Sequence, residues 1–279
     1  MSRKLIGIFG LCVFILAGLG GAAYFFLSGA PESEADSFWN QSAENNIDSI
    51  DHSDWQYLLE EYLIADDPSG VNLVDYQGLI EDDKDLLDAY ISQLSGVDPR
   101  NYNRAEQQAY WINLYNALTV QIIIENYPTE SITKLGKSSL SFGPWDDQVV
   151  TLAGRPLSLN DIEHRILRPL WNDYRIHFAV NCASIGCPNL QTSAFTAENS
   201  EALLTLGAED YLAHSRGVRF DGSKLVLSSI FDWYGVDFGD NQQEVLITLS
   251  RYAPEDIAGK LSSYDGSISF EYNWQLNEF

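Results

Sequence analysis

The sequence predicts an α+β fold in which a central buried helix packs on a small, mainly antiparallel sheet. Stretches with helical spacing of apolar residues are interspersed with short apolar pieces that favour strands. These pieces lack the interval of roughly 30 residues that is typical of a doubly wound parallel sheet. With 279 residues, 45% of them hydrophobic, the chain is long enough to bury a sizeable core.

The N-terminal segment carries no charge from residue 5 to residue 27 and follows Arg3 and Lys4. This run can cross a bilayer and is longer than the apolar region of about 7–15 residues in a secretory signal peptide. Pro31 directly follows the nearest small-residue cleavage position and disfavours cleavage. We therefore predict a transmembrane signal-anchor at residues 1–28. The basic residues before the span predict a single-pass protein of the inner (cytoplasmic) membrane, with its C-terminal domain in the periplasm or outside the cell.

Residues 29–50 are polar and acidic and predict a linker, followed by one globular domain at residues 51–279. Lys plus Arg number 16 against 40 Asp plus Glu, a net charge of −24. So acidic a chain repels nucleic acid, and no nucleic-acid partner is expected. The expected partners are the inner membrane, through the N-terminal helix, and an unknown small-molecule or peptide ligand.

The domain begins with helical spacing from Trp55 to Leu63, then a short extended piece at residues 71–80 and a helix at residues 85–94. A long helix follows from Arg104 to Asn126, and its second half is apolar on every face, which predicts a central buried position.

Asn113 and Asn116 share one face of the central helix because they are three residues apart. A buried amide needs hydrogen-bond partners. Two interpretations stay open: the amides hold neighbouring loops, or they line a cleft and orient a substrate or a catalytic imidazole.

Residues 149–157 predict a small hairpin, after which Ser158 and Asp161 form a capping box at the start of a helix. Glu163 lies near the middle of the apolar stripe of that helix and therefore points inward. A buried carboxylate needs a cationic or multi-donor partner. The candidates nearest in sequence are Arg168, Arg175 and His177.

The arginines between residues 155 and 175 indicate either structural ion pairs or a basic pocket for an anionic group, with Arg168 and Arg175 as its candidates. His164 lies about 100° round the helix from Glu163, which predicts a place at the edge of a cleft or in solvent.

The stretch RIHFAVN, residues 175–181, alternates as a core strand does, and Cys182 follows it in a turn. Backbone N–H groups of such a turn can favour a thiolate. Cys182, His177 and Glu163 are residue types that Cys-His hydrolases use, with the cysteine as nucleophile and the histidine as base and then acid.

Two rival interpretations use the same atoms. A metal site would draw on Cys182, Cys187, His177 and His164, but a second cysteine pair is missing, so we predict no metal and no cofactor. A disulfide between Cys182 and Cys187 is geometrically possible across the short loop and would remove the thiolate.

The later elements are a helix at residues 201–213, a hairpin across Asp221-Gly222, a helix at residues 242–252 and a closing strand, ISFEYNWQLN.

Four motifs in order resemble the domain of unknown function 547, over roughly Asp51 to Phe279. They are AYWINLYNALTV (109–120), SLNDIEHRILRP (158–169), RIHFAVNCASIGCPNL (175–190) and YNWQLN (272–277). The family is uncharacterised and shared by bacterial envelope proteins and longer plant proteins, so the resemblance implies a bacterial, membrane-anchored member without a defined activity. Its hallmark residues match Trp111, Asn113, Asn116, Glu163, His164, His177 and Cys182.

A kinship with papain-like or transglutaminase-like folds is a further hypothesis. In those folds the nucleophile opens the central helix, whereas here that helix begins RAEQQAYW, without a cysteine.

Two functional hypotheses follow. In the first, the domain is a thiol-dependent hydrolase or acyltransferase with Cys182, His177 and Glu163 as catalytic residues. Its substrate-binding residues would be Asn113, Asn116, His164, Arg168, Arg175 and Trp111. In the second, the domain binds a ligand or protein of the cell envelope without chemistry, and the same polar residues form one buried hydrogen-bond network. A Cys182 sulfur within about 4 Å of a histidine nitrogen would favour the enzyme.

Overall fold

A computed structural model describes residues 33–137 and 142–279, in which helices and short strands alternate. The α-helices are α1 (Ser53–Tyr62), α2 (Tyr76–Asp82), α3 (Lys84–Gly96), α4 (Arg104–Glu125), α5 (Arg168–Trp171), α6 (Ser200–Ala213), α7 (Ile230–Trp233), α8 (Gly235–Phe238), α9 (Gln242–Ser250) and α10 (Glu255–Ser262). The strands are β1 (Leu63–Ile64), β2 (Leu73–Val74), β3 (Val150–Leu152), β4 (Arg155–Leu157), β5 (Val218–Asp221), β6 (Lys224–Ser228) and β7 (Ile268–Glu271). Short 3-10 helices cover Pro99–Asn101, Ile132–Lys134 and Tyr174–Phe178, and a π-helix covers Asp161–Leu167.

The central helix α4 is buried along nearly its whole length, as its sequence predicts. It begins at Asn103, whose side chain accepts hydrogen bonds from the backbone N–H groups of Ala105 and Glu106. The helix packs against α2, α3, α6 and the π-helix.

The predicted support of this helix by a sheet is wrong, because its neighbours are helices. The described strands form three separate small sheets: β1 with β2, β3 with β4, and β5, β6 and β7 in that order. Pairing is antiparallel except between β6 and β7. The mixed α+β character stands, but the papain-like or transglutaminase-like arrangement of one sheet against the central helix is corrected.

The predicted strand at residues 175–181 is also wrong, since Tyr174–Phe178 is a 3-10 helix. The Asp173 side chain accepts a hydrogen bond from the Arg175 N–H and so caps this turn. The backbone N–H of Ile176 donates to Asp173, and that of Ala179 donates to Ile176. Local hydrogen bonds therefore satisfy the backbone N–H groups of this segment, although its alternation of side chains is typical of a strand.

The hairpins and the capping box are confirmed. Val150–Leu152 pairs with Arg155–Leu157, and β5 pairs with β6 across a turn whose Gly222 has φ +65°. The Ser158 hydroxyl accepts from the Asp161 N–H at 3.1 Å, while the Asp161 carboxylate accepts from the Ser158 N–H at 2.9 Å. The predicted closing strand is present as β7, parallel to β6.

The hydrophobic core has two parts. The larger surrounds α4, and the smaller lies between α6, the β5–β7 sheet and the helices α7 to α10. Trp39, within the predicted linker, is 1% exposed and packs edge-on against Trp111 of α4. Part of that acidic segment therefore packs on the larger core.

The predicted membrane anchor at residues 1–28 lies outside the described residues. Within residues 33–137 and 142–279, no helix is long and apolar enough to cross a bilayer. The longest one, α4, is interrupted by polar side chains such as Gln107 and Asn113. The transmembrane helix as part of the fold, and the single-pass inner-membrane location inferred from it, are therefore corrected.

Candidate functional site

A narrow pocket with a cavity volume of about 50 Å³ lies where the two parts of the core meet. Its walls are largely aromatic and include Trp145, Trp233 and Trp274. Its lining also contains Glu163, His177 and Cys182. The structure thus brings the three residues predicted to be catalytic to the lining of one cavity.

Glu163 reaches the pocket from the π-helix. The Arg168 N–H donates to the carbonyl of Glu163, five residues earlier, which is the hydrogen bond of a π-helix. With this winding both Glu163 and His164 turn inward, and each is 4% exposed. The expected position of His164 at a cleft edge or in solvent assumed α-helical geometry and is wrong.

The Glu163 carboxylate has three polar neighbours. The Tyr115 hydroxyl donates to its Oε2 at 3.2 Å. Its Oε1 lies 3.6 Å from Nδ1 of His177 and 3.8 Å from Nδ1 of His164. His177, one of the partners expected from sequence, therefore lies beside this carboxylate.

Asp237, in α8, ties this cluster together. It accepts two hydrogen bonds from Arg168, at 2.7 and 2.9 Å, and lies 2.6 Å from Nε2 of His177. Burial opposes ionisation of Asp237, but hydrogen bonds from His177 and Arg168 outweigh it and hold its pKa well below the ordinary range. The His177 ring also stacks on Tyr234 at 4.3 Å between centroids.

His164 completes the cluster on the far side of Arg168. The guanidinium Nη1 lies 3.1 Å from Nδ1 of the imidazole. Burial lowers the pKa of His164, and the Arg168 charge lowers it further, while Glu163 opposes them. A neutral ring that accepts a hydrogen bond from Arg168 is consistent with both the geometry and this direction.

The Cys182 sulfur, which also lines the pocket, is surrounded by hydroxyl and thiol groups. It is 3.0 Å from the Tyr272 hydroxyl, 3.4 Å from the Ser184 hydroxyl and 2.8 Å from the Cys187 sulfur, and both thiols are free. Burial raises the pKa of Cys182, but hydrogen bonds from Cys187, Ser184 and Tyr272 outweigh it and lower that pKa overall. Burial and the neighbouring Cys182 raise the pKa of Cys187 well above its ordinary value.

The loop that carries Cys182 is fixed by asparagine amides. Asn116 of α4 donates to the carbonyl of Ala179 and accepts from the N–H of Asn181. Asn181 in turn donates to the carbonyl of Pro188 and accepts from the N–H of Ala183, which has φ +55°. The amides therefore hold backbone, as one of the two sequence interpretations proposed.

The predicted pairing of Cys182 with a histidine is not formed. Among the described residues, the hydrogen-bond partners of the Cys182 sulfur are Cys187, Ser184 and Tyr272. One ring nitrogen of His177 is bonded to Asp237 and the other faces Glu163. Both ring nitrogens of His177 therefore face carboxylates, and no described contact links this imidazole to the Cys182 sulfur.

The pocket lining contains none of the six residues predicted to bind substrate, and three of these six make contacts elsewhere in the described structure. Asn113 exchanges two hydrogen bonds with the backbone of Phe195. Trp111 is 0% exposed and belongs to the larger core. Arg175 pairs with Asp173 and Glu201.

The sequence does not predict four residues as part of the site: Tyr115, Tyr234, Asp237 and Tyr272. Tyr272 is the first residue of the motif YNWQLN, and Tyr115 lies in the motif of α4, so both belong to motifs that carry the family resemblance. Asp237 follows Trp233 and Tyr234 in a short segment without a local pattern that signals an ion pair.

In the described ranges, no group of three or more His, Cys, Asp or Glu side chains is arranged to hold a metal ion.

Residues 99–212 match the model of a family described as "Protein of unknown function, DUF547". The matched region includes the candidate residues from Asn113 to Cys187 and ends before Asp237 and Tyr272. The match indicates neither a bacterial source nor membrane attachment. Searches of curated proteins and of solved structures give no match.

Proposed function

We propose that the pocket catalyses thiol-dependent acyl transfer, to water or to another acceptor, with Cys182 as nucleophile and Glu163 as proton acceptor. The observation that carries this proposal is the Cys182 sulfur, which lines the pocket 3.0 Å from a tyrosine hydroxyl while Glu163 lines the same cavity. Hydrogen bonds to a thiolate favour its formation, and the thiolate is the nucleophile.

In the acylation step, the Cys182 thiolate attacks the carbonyl carbon of an ester, thioester or amide. A C–S bond forms while the carbonyl π electrons move to oxygen. When the tetrahedral intermediate collapses, the bond to the leaving group breaks, the leaving group takes the electron pair and gains a proton from solvent, and the acyl group stays on sulfur.

In the deacylation step, Glu163 accepts a proton from water as the water oxygen attacks the thioester carbon. The C–S bond breaks, the acid is released, and the Cys182 thiolate forms again. Glu163 then returns its proton to solvent. An alcohol or amine in place of water makes the same chemistry an acyltransferase.

His177, Arg168 and Asp237 act as positioning residues in this scheme. Asp237 fixes the His177 ring, whose other nitrogen faces the Glu163 carboxylate. Tyr115 fixes the second oxygen of that carboxylate. Because the proton acceptor is held from both sides, Glu163 is oriented before a substrate binds.

The walls indicate the class of acyl group. Trp233 and Trp274 stack at 5.5 Å, and Trp145 meets Trp274 edge-on at 5.7 Å. Flat aromatic walls favour an apolar or aromatic acyl chain through burial of apolar surface. We expect activated aryl esters of such acids to be accepted.

The test uses a chromogenic aryl ester with intact-mass detection of the acyl-enzyme. Wild type should acylate at Cys182 and turn over. Glu163→Gln should acylate but release the acyl group about 100-fold more slowly or worse, since general bases contribute about 10²–10⁴-fold. Cys182→Ser should form no adduct.

The matched control is Glu106→Gln, which alters another buried glutamate far along the chain, where the carboxylate accepts from the Ile50 N–H. Its deacylation rate should equal that of wild type. An adduct that forms on Cys182→Ser, or equal deacylation by Glu163→Gln and wild type, would refute the proposal.

The second candidate function is ligand binding without chemistry. It is favoured by one observation: the Glu163, His177, Asp237 and Arg168 cluster is largely satisfied internally, as a structural network would be. Tight binding of an aryl acid or ester, with no acylation in the experiment above, would support it.

A further inference from the structure

The thiols of Cys182 and Cys187 lie close together in the pocket. Their sulfur atoms are 2.8 Å apart, and the Cys182 N–H donates to the Cys187 sulfur at 2.9 Å. A disulfide needs a sulfur separation of about 2.05 Å. Joining the two atoms therefore requires an approach of less than about 1 Å.

The loop around the pair is clamped, so this approach needs no refolding. Asn181 bonds both ends of the loop, to the N–H of Ala183 and the carbonyl of Pro188. The N–H of Gly186 donates to the carbonyl of Asn273, and a Cβ at Gly186 would lie 2.8 Å from the Asn273 nitrogen. The loop is thus docked against the segment that contains Tyr272.

The two thiols differ in access and ionisation. Cys182 is partly exposed to the pocket, whereas Cys187 is 3% exposed. The pKa of Cys182 is lowered by its hydrogen bonds against the opposing effect of burial, while burial raises that of Cys187. An accessible thiol of lowered pKa beside a buried thiol of raised pKa is the arrangement that thiol–disulfide exchange needs.

We propose that this loop carries a second activity, thiol–disulfide exchange with small-molecule disulfides, in which Cys182 attacks and Cys187 resolves the mixed disulfide. The inference uses the same sulfur as the proposed acyl transfer but does not depend on it, because no acyl group or Glu163 takes part.

Each step is balanced. The Cys182 thiolate attacks one sulfur of an external disulfide, a new S–S bond forms, and the other half leaves as a thiolate that takes a proton from solvent. Cys187 then loses its proton and attacks the Cys182 sulfur, which releases the second thiol. The external disulfide is reduced to two thiols, and the Cys182–Cys187 pair is oxidised.

The test is intact-mass analysis of the full chain, with Cys12→Ser in every sample, after treatment with oxidised glutathione. The mass of the wild-type protein should fall by that of two hydrogen atoms, with no glutathione adduct. Addition of dithiothreitol should restore the original mass. Cys187→Ser should instead accumulate one glutathione adduct on Cys182. Cys182→Ser should stay largely unmodified, because Cys187 is buried.

A stable glutathione adduct on wild type would overturn the proposal, as would modification of Cys182→Ser at the wild-type rate. The sample that keeps both Cys182 and Cys187 does not depend on the folding of a pocket variant, and circular dichroism checks that Cys182→Ser and Cys187→Ser are folded. Acyl-enzyme formation is measured under reducing conditions, so failure of acyl transfer and failure of disulfide exchange are separate outcomes.

Discussion

At the scale of single residues, the environment of each titratable group decides what it can do. Cys182 and Cys187 are chemically alike and five residues apart, yet the pKa of one thiol is lowered and that of the other raised. The sequence predicts Cys182 as the reactive thiol but not Tyr272, 90 residues away, which is its nearest hydroxyl. Contacts so distant along the chain depend on tertiary packing, which local patterns do not encode.

Tyr272→Phe removes the hydroxyl that lies 3.0 Å from the Cys182 sulfur. We expect the pKa of Cys182 to rise, because a hydrogen bond to the thiolate is lost. Alkylation of Cys182 by iodoacetamide at neutral pH should slow accordingly. Tyr127→Phe, which removes a surface hydroxyl bonded to Glu278, is the control and should leave the rate unchanged.

His52 provides a pH test of stability outside the pocket. Burial lowers the pKa of His52 to about 4, and its Nδ1 lies 2.7 Å from the Tyr90 hydroxyl. The unfolded state, with an ordinary pKa of about 6.5, binds a proton more readily than the folded state. Stability should therefore fall as pH drops from about 6.5 to 4, by up to about 3 kcal/mol.

The comparison for this test is His52→Asn, whose amide oxygen can replace Nδ1 as the acceptor for Tyr90 but does not titrate. Urea unfolding at several pH values measures both proteins. The same loss of stability with falling pH in the variant would show that another group is responsible.

At the scale of elements, the sequence predicts helices with clear spacing and fails where tertiary contacts set the backbone. The helix α4 and its Asn103 cap follow from local rules. The π-helix and the 3-10 turn before Cys182 do not, because the alternation of RIHFAVN is typical of a strand and the winding around Glu163 depends on its partners.

Asp237→Asn tests the tie between α8 and the π-helix. Removing the carboxylate charge abolishes the ion pair that Asp237 forms with the Arg168 guanidinium, whose side chain is 3% exposed. Loss of one partner of a buried ion pair costs about 3–5 kcal/mol. Denaturant unfolding should show that loss, whereas Asp232→Asn, at an exposed site nearby, should change stability by less than about 0.5 kcal/mol.

Gly186→Ala tests the docking of the cysteine loop. The added Cβ would meet backbone atoms of Asn273 at 2.8 and 2.9 Å, which cannot move as a flexible side chain can. We expect lower thermal stability together with slower alkylation of Cys182. Gly96→Ala, where the added Cβ meets nothing within 4 Å, should keep both properties or gain slightly in stability. Normal alkylation of Cys182 in Gly186→Ala would argue against a rigid loop.

At the scale of the whole molecule, the candidate site lies at the junction of the two parts of the core. The larger part supplies Tyr115 and Glu163, while the C-terminal region supplies Asp237 and Tyr272. Sequence motifs predict the separate residues of the cavity well, since Glu163, His177 and Cys182 all line it. They do not predict which of these residues touch, because that depends on how helices close against a C-terminal segment 90 residues further along.

The central claim is that the folded pocket lowers the pKa of Cys182, since both acyl transfer and disulfide exchange begin with its thiolate. The most direct measurement is the rate of Cys182 alkylation by iodoacetamide across pH, followed by intact mass with Cys12→Ser and Cys187→Ser in the background. We expect the half-maximal rate at a pH below the ordinary thiol pKa of about 8.5. A midpoint at or above that value, with the protein still folded, would contradict the account.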